Sequence, residues 1–175
     1  AVSGAGRVGP LPTAGVISVL VIQVEIRQVR YDAEVAQKLI SATLAELGQR
    51  YGGSGDETPV QAAEFDPPNG AFLVAYRDGE PVGCGGWRSF AEDPSVAELK
   101  RMYTCESARG LGIARRVLTA VEESARAHGR RRMILECGDR QPEAISLYLS
   151  CGYQRIENFG FYRDAPGVVS LGRDL

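Results

Sequence analysis

Arg109-Gly110-Leu111-Gly112-Ile113-Ala114 stands between two segments of different hydrophobic period. Upstream, Ala97-Glu98-Leu99-Lys100-Arg101-Met102-Tyr103-Thr104 reads as a strand. Downstream, Ile113, Ala114, Val117, Leu118, Val121 and Ala125 recur on one helical face, so a helix begins near Ile113. A glycine pair at a helix start exposes unpaired backbone N–H groups at the positive end of the helix dipole, and Arg109 adds a cation. The arrangement predicts an anion-binding turn with pyrophosphate as its natural guest. Glycine turns also serve simple chain reversal, so the surroundings must decide.

Two nucleotide readings fail on particular residues. A dinucleotide fingerprint G-x-G-x-x-G needs a third glycine where this chain has Arg115, and no acidic ribose ligand follows a second strand at the required distance. A Walker A loop needs Gly-Lys-Ser or Gly-Lys-Thr where Gly112-Ile113-Ala114 stands.

The turn does resemble Arg/Gln-x-x-Gly-x-Gly/Ala, the pyrophosphate motif of the GNAT superfamily of acyl-CoA N-acyltransferases, and the resemblance extends over residues 19 to 175. Glu98 stands on the preceding strand, where several members carry a glutamate general base. Arg132-Met133-Ile134-Leu135-Glu136-Cys137 reads as the next strand. Pro142 to Tyr153 is similar to the family's Asn-x-x-Ala-x-x-x-Tyr-x-x-x-Gly-Phe helix and turn, with Gln141 in place of the usual Asn.

The resemblance implies a mixed α/β fold: a mostly antiparallel twisted sheet of six to seven strands flanked by helices, splayed between strands 4 and 5. The splay admits the pantetheine arm of acetyl-CoA, the implied cosubstrate. By that analogy Arg109, Gly110, Leu111, Gly112 and Ala114 hold the pyrophosphate, with Ile113 chiefly packing the helix. Met102, Tyr103 and Thr104 flank the arm through their backbone, and Gln141 hydrogen-bonds it. A main-chain N–H aimed at the acyl carbonyl would contribute about 3 kcal/mol to stabilising the developing oxyanion.

The implied reaction is direct attack of a neutral primary amine on the thioester within a ternary complex. Glu98 is the expected base, its structural alternative being an ion pair with Lys100 or a nearby arginine. Tyr148 is the expected acid toward the departing thiolate, its alternative a core tyrosine anchoring the second helix. A coenzyme-binding sensor with little turnover is the competing class; it needs the turn but has no use for Glu98 and Tyr148.

Composition agrees with one domain. The chain has 175 residues, with 20 basic and 22 acidic side chains, a balance that gives no global field for nucleic acid or an anionic membrane. Cys84, Cys105, Cys137 and Cys151 form no C-x-x-C pair, which points to reduced cytoplasmic thiols and no metal. The Gly129-Arg130-Arg131-Arg132 run lacks an aromatic stacking platform and reads as solvated surface, as do Arg115 and Arg116. The lone histidine, His128, precedes Gly129 where the helix should stop and reads as a cap contact. Residues 1–18, rich in Gly, Ala and Pro, read as a flexible extension rather than a signal or membrane segment.

The remaining elements follow local rules. Val19 to Val29 reads as a strand, and Asp32 as the cap of a helix from Ala33 to Tyr51. Gly52 to Gly70 is irregular, with one short helical piece over Pro59–Phe65. Ala71–Tyr76 and Pro81–Arg88 form a hairpin about Asp78-Gly79, and two strands near Tyr153–Asn158 and Gly167–Gly172 close the chain. The acceptor is not written in the sequence. Acids of the 52–70 loop (Asp56, Glu57, Glu64 and Asp66) and Trp87, Arg88 and Phe161 are the residues proposed to meet it, and a homodimer remains open.

Overall fold

The computed structural model describes residues 23–175. The expected extension over residues 1–18, and the first residues of the expected Val19–Val29 strand, lie outside them.

The elements run β1 (Val24–Val29), α1 (Glu34–Tyr51), a 3-10 turn (Ala62–Phe65), β2 (Gly70–Arg77), β3 (Glu80–Phe90), β4 (Asp93–Thr104), a 3-10 turn (Glu106–Ala108), α2 (Ile113–Ala127), β5 (Arg132–Gly138), α3 (Pro142–Ser150), β6 (Gln154–Arg155) and β7 (Val168–Asp174). They form one seven-stranded sheet in the order β1-β2-β3-β4-β5-β7-β6. All neighbours are antiparallel except β4 and β5.

Period-two alternation divides the core between the two faces of the sheet. On β2, Ala71, Leu73 and Ala75 face one side, where Ile113, Val117, Leu118, Val121 and Ala125 of α2 cover them. Phe72 and Val74 face the other, against Tyr31, Leu39, Ile40 and Phe65 from α1 and its neighbours. Each large aliphatic side chain buried this way contributes about 1.5–3 kcal/mol, which makes α2 the main clamp on the first face. Ala144, Ile145 and Tyr148 of α3 join that face.

Two expectations are corrected. Asp32 does not cap α1: the N-cap is Ala33, without a side-chain bond, because the Asp32 carboxylate is taken by Arg30 Nη2 at 2.7 Å. The strand expected over Tyr153–Asn158 is only two residues long, and the chain from residue 156 to 167 instead loops back over the sheet.

Two features of β4 create an opening. It pairs with β5 only at Val96↔Arg132, Ala97↔Met133 and Glu98↔Ile134, after which the strands part although both continue. It also carries a bulge: Lys100 faces Gly86 and Tyr103 faces Cys84, so Arg101 and Met102 together oppose the single residue Gly85. Arg101 adopts φ 58°, in the left-handed region. Holding a non-glycine residue there costs about 1–3 kcal/mol, offset by contacts made elsewhere. Gly85 stands opposite it and leaves room for Met102, whose Sδ a Cβ at position 85 would displace.

Candidate active site

The bulge changes which side chains share a face. Leu99 and Met102 pack toward α2, while Lys100 and Arg101, consecutive in sequence, both lie on the α1 side and are buried. The Arg101 guanidinium bonds Asp56 and the Tyr31 hydroxyl, the latter at 3.4 Å. Asp56 also accepts from Thr58 N at 2.9 Å, Thr58 Oγ1 at 2.6 Å and the Tyr162 hydroxyl at 3.2 Å. Burial works against its charge, but Arg101 and the Thr58 bonds hold its carboxyl below the usual range.

Between the parted strands lies a cavity of about 290 Å³. Leu99, Lys100, Arg101 and Met102 form one wall, Leu135, Glu136, Cys137 and Gly138 the other. Gln141, Ala144 and Tyr148 of α3 line the α2–α3 side. At the opposite end are Thr43, Leu47 and Tyr51 of α1, Asp56 and Thr58, and Tyr162 with residues 165–168. The cavity is therefore bordered by elements from both faces of the sheet.

Tyr148 is 5 % exposed and lines this opening, and its hydroxyl has no hydrogen-bond partner among the described residues. Burial pushes its phenol up, with Cys137 and Cys151 adding to the effect, so it stays protonated and able to donate. Gln141 lines the cavity beside it, its Nε2 3.5 Å from the Tyr51 hydroxyl.

Glu136 is the site's least satisfied group. Its side chain is 3 % exposed, and neither carboxylate oxygen meets a side-chain donor at hydrogen-bond distance, the backbone N–H of Tyr162 being directed toward the group. The Lys100 ammonium lies 3.9 Å from Oε2. Gly160 covers the group so closely that a Cβ there would come within 2.9 Å of Oε2. Burial raises the Glu136 carboxyl above its ordinary range; Lys100 opposes the shift and Glu98 reinforces it.

Glu98 has the opposite environment. It is 4 % exposed, sits directly across from Arg88, accepts from Arg88 Nε at 2.8 Å, and pairs with Lys100 Nζ at 2.8 Å. It is not part of the cavity lining. The ion-pair alternative foreseen for this residue is thus realised with both partners at once.

The glycine turn also takes shape. Gly110 and Gly112 have φ 76° and 75°, and a Cβ on either would meet nothing within 4 Å. Their left-handed backbone, rather than crowding, calls for glycine. The first hydrogen bond of α2 runs from Arg116 N to Gly112 O, leaving the N–H groups of Ile113, Ala114 and Arg115 without a backbone acceptor among the described residues. Leu111 is exposed and Ile113 is buried in the core. Arg109 turns away from the open side, donating to Thr104 O at 3.1 Å and pairing with Glu46 at 2.5 Å.

The residues proposed from sequence for the acceptor lie in three different settings. Trp87 is fully buried on the α2 face and donates to Ser124 Oγ at 3.0 Å, so it does not reach the cavity. Arg88 is committed to Glu98, Glu64 and the Pro59 carbonyl. Phe161 is 55 % exposed and packs edge-on against Tyr162, the residue that does line the opening. Tyr103 and Thr104 lie along β4 beyond the lining residues. Lys100, Arg101, Glu136 and Tyr162 line the cavity as well; Arg101 and Glu136 carried no expected role, and the one available signal was Glu136 as the sole acidic residue of β5.

The acetyltransferase (GNAT) family profile matches residues 40–153, well over half the chain. The chain belongs to the GNAT acetyltransferase family. A relative from Azospirillum brasilense named IAA acetyltransferase is 40% identical over 108 residues, spanning 62% of this chain and 70% of that protein. A solved structure from Klebsiella pneumoniae, assigned as an acyl-CoA N-acyltransferase, superposes with a TM-score of 0.72 at 28% identity, over 87% of this chain and 97% of that one. A Bacillus anthracis acetyltransferase structure that contains acetyl coenzyme A shares the fold at TM-score 0.58 and 16% identity, over 68% of this chain and 70% of its own. This GNAT protein is thus an acyl-CoA-dependent N-acetyltransferase by family. Among its described residues, no helix is long and apolar enough to cross a membrane, and no group of three or more His, Cys, Asp or Glu could hold a metal ion.

Proposed function

We propose that this protein transfers an acetyl group from acetyl-CoA to a primary amine by direct attack in a ternary complex formed across the β4–β5 opening. The observation that carries the reading is the continuity of that opening, with Tyr148 on the α3 side, the weakly paired Glu136 carboxylate in the wall and α1 at the far end. The free N–H groups at the start of α2 and the space beyond Gly110 and Gly112 suit a pyrophosphate. Beyond Glu98, the β5-facing edge of β4 has no strand partner and suits an extended amide-bearing arm beside Met102 and Gln141.

Acetyl-CoA supplies the acyl group already activated as a thioester. An alkylammonium has no lone pair to attack with, so a base must first take its proton. Glu136 fits that role better than Glu98: it lines the cavity, has no side-chain hydrogen bond and is raised in pKa by burial, all of which favour proton uptake. Glu98, held by Arg88 and Lys100, instead fixes the Lys100 ammonium beside the base. After the new C–N bond forms, the C–S bond breaks with its electron pair on sulfur. The Tyr148 hydroxyl protonates that sulfur, its phenolate regains a proton through solvent from the positively charged nitrogen that attack created, and Glu136 releases to solvent the proton it took from the ammonium. Main-chain N–H groups of β4 near the bulge stabilise the developing oxyanion.

Thiol release from acetyl-CoA mixed with a panel of primary amines tests the reading. Amine-dependent release well above background hydrolysis is expected. Tight coenzyme binding with no amine raising release would instead assign a sensor.

A further inference from the structure

The charges around the acceptor end of the cavity do not balance. Arg101 is committed to Asp56, whose carboxylate also accepts from Thr58 and Tyr162. Arg88 is shared by Glu98, Glu64 and the Pro59 carbonyl. Lys100 holds Glu98 at 2.8 Å and approaches Glu136 only to 3.9 Å. Three cations thus face four carboxylates, and the one left over, Glu136, is the buried group with no side-chain hydrogen bond to either oxygen. The other side chains lining the cavity, including Leu47, Thr43, Ala165, Pro166 and Val168, carry no charge.

We propose that the acceptor is a cationic primary amine with an uncharged body and no carboxylate on its reacting carbon. An ammonium placed against Glu136 completes the cluster's charge and donates the hydrogen bonds that no side chain gives its oxygens. An α-amino acid brings the same ammonium together with a carboxylate. Lys100 and Arg101, the cavity's cationic walls among the described residues, are already engaged, so that second charge would be buried near Glu136 without a partner. The walls therefore select by rejection: they welcome an alkyl or arylalkyl ammonium and exclude its amino-acid counterpart. This inference rests on the reading of the cavity as the site of acetyl transfer to an amine.

Calorimetric titration of the CoA-loaded protein with matched pairs tests recognition apart from chemistry. The pairs are 2-phenylethylamine against L-phenylalanine and, for a narrower cavity, pentylamine against L-norleucine. In at least one pair the amine is expected to bind about tenfold or more tighter than its amino acid, and E136Q should erase most of that preference. Equal or reversed affinities, a preference that survives in E136Q, or binding by none of the four compounds would each overturn the inference. Thiol release measured on the same pairs keeps the two ideas separate. A tenfold preference without turnover supports the recognition and overturns only the acetyl-transfer reading beneath it.

Discussion

Arg88 and Glu98 face each other directly across β3 and β4, with Arg88 Nε 2.8 Å from the Glu98 carboxylate in a setting that leaves Glu98 4 % exposed. A buried carboxylate with a guanidinium on one oxygen and an ammonium on the other is suited to holding those two cations in place, the role we propose for Glu98. Glu98→Gln should therefore act mainly on stability. Leaving Arg88 and Lys100 short of a partner is expected to cost about 3 kcal/mol in urea denaturation. The shape of the pH–rate profile should be unchanged; loss of its acidic limb would restore Glu98 as the base.

Glu136→Gln should do the reverse. Removing the base is expected to lower kcat about 100-fold or more while leaving acetyl-CoA affinity intact, and to abolish the acidic limb of the profile. Stability supplies a second readout. A carboxyl whose pKa is raised by folding binds its proton more tightly in the native state. Native stability therefore falls as pH rises from the ordinary carboxylate value through the raised one. The variant lacks that penalty, so it should melt higher than the parent near neutral pH, with the gain vanishing in acid. A variant that melts lower at every pH would show that Glu136 is structural.

Much of the fold was legible because its signals are local. The helical period after Gly112, the Asp78-Gly79 hairpin and the strand over Arg132–Cys137 each depend on neighbours within a few residues. What escaped depends on pairing between distant segments. The Arg101 bulge exists only through the register of β4 against Gly85, and it alone puts Lys100 and Arg101 on one face. Trp87 and Arg88 are consecutive in a strand and so face opposite sides, which prevents one pocket from taking both. Asp32 carries a cap residue's chemistry, yet an arginine two positions away competes for it. The phosphate turn and Tyr148 were visible as motif positions. Glu136 was harder to read, because a single acid in a mostly apolar strand gives no sign of its burial until the loop over Gly160 is seen to cover it.

Tyr148→Phe separates binding from chemistry. The tyrosine ring packs in the core at 5.7 Å from Tyr153 while its unpartnered hydroxyl faces the opening, so removing one oxygen leaves the packing in place. Acetyl-CoA affinity and melting temperature should stay near the parent's, with kcat lower by about 10- to 100-fold. A rate unchanged in rapid-quench measurements of the chemical step would reduce Tyr148 to an anchor.

Gly112→Val tests the turn. At φ 75° a β-branched residue is strained by about 1–3 kcal/mol, and the loss should appear in thermal unfolding without any ligand. Nothing in the protein lies within 4 Å of where the new Cβ would be, so the fold itself has room for it. A phosphate held by the N–H groups of residues 113–115 would not, because the side chain stands at the mouth of those donors. The expected result is acetyl-CoA binding weakened about tenfold or more, beyond what the stability loss explains. Dephospho-CoA, which keeps the pyrophosphate, should be weakened equally, whereas pantetheine, which lacks it, should bind parent and variant alike. Equal losses for all three compounds would mean that the turn supports the cavity as a whole and does not grip the pyrophosphate.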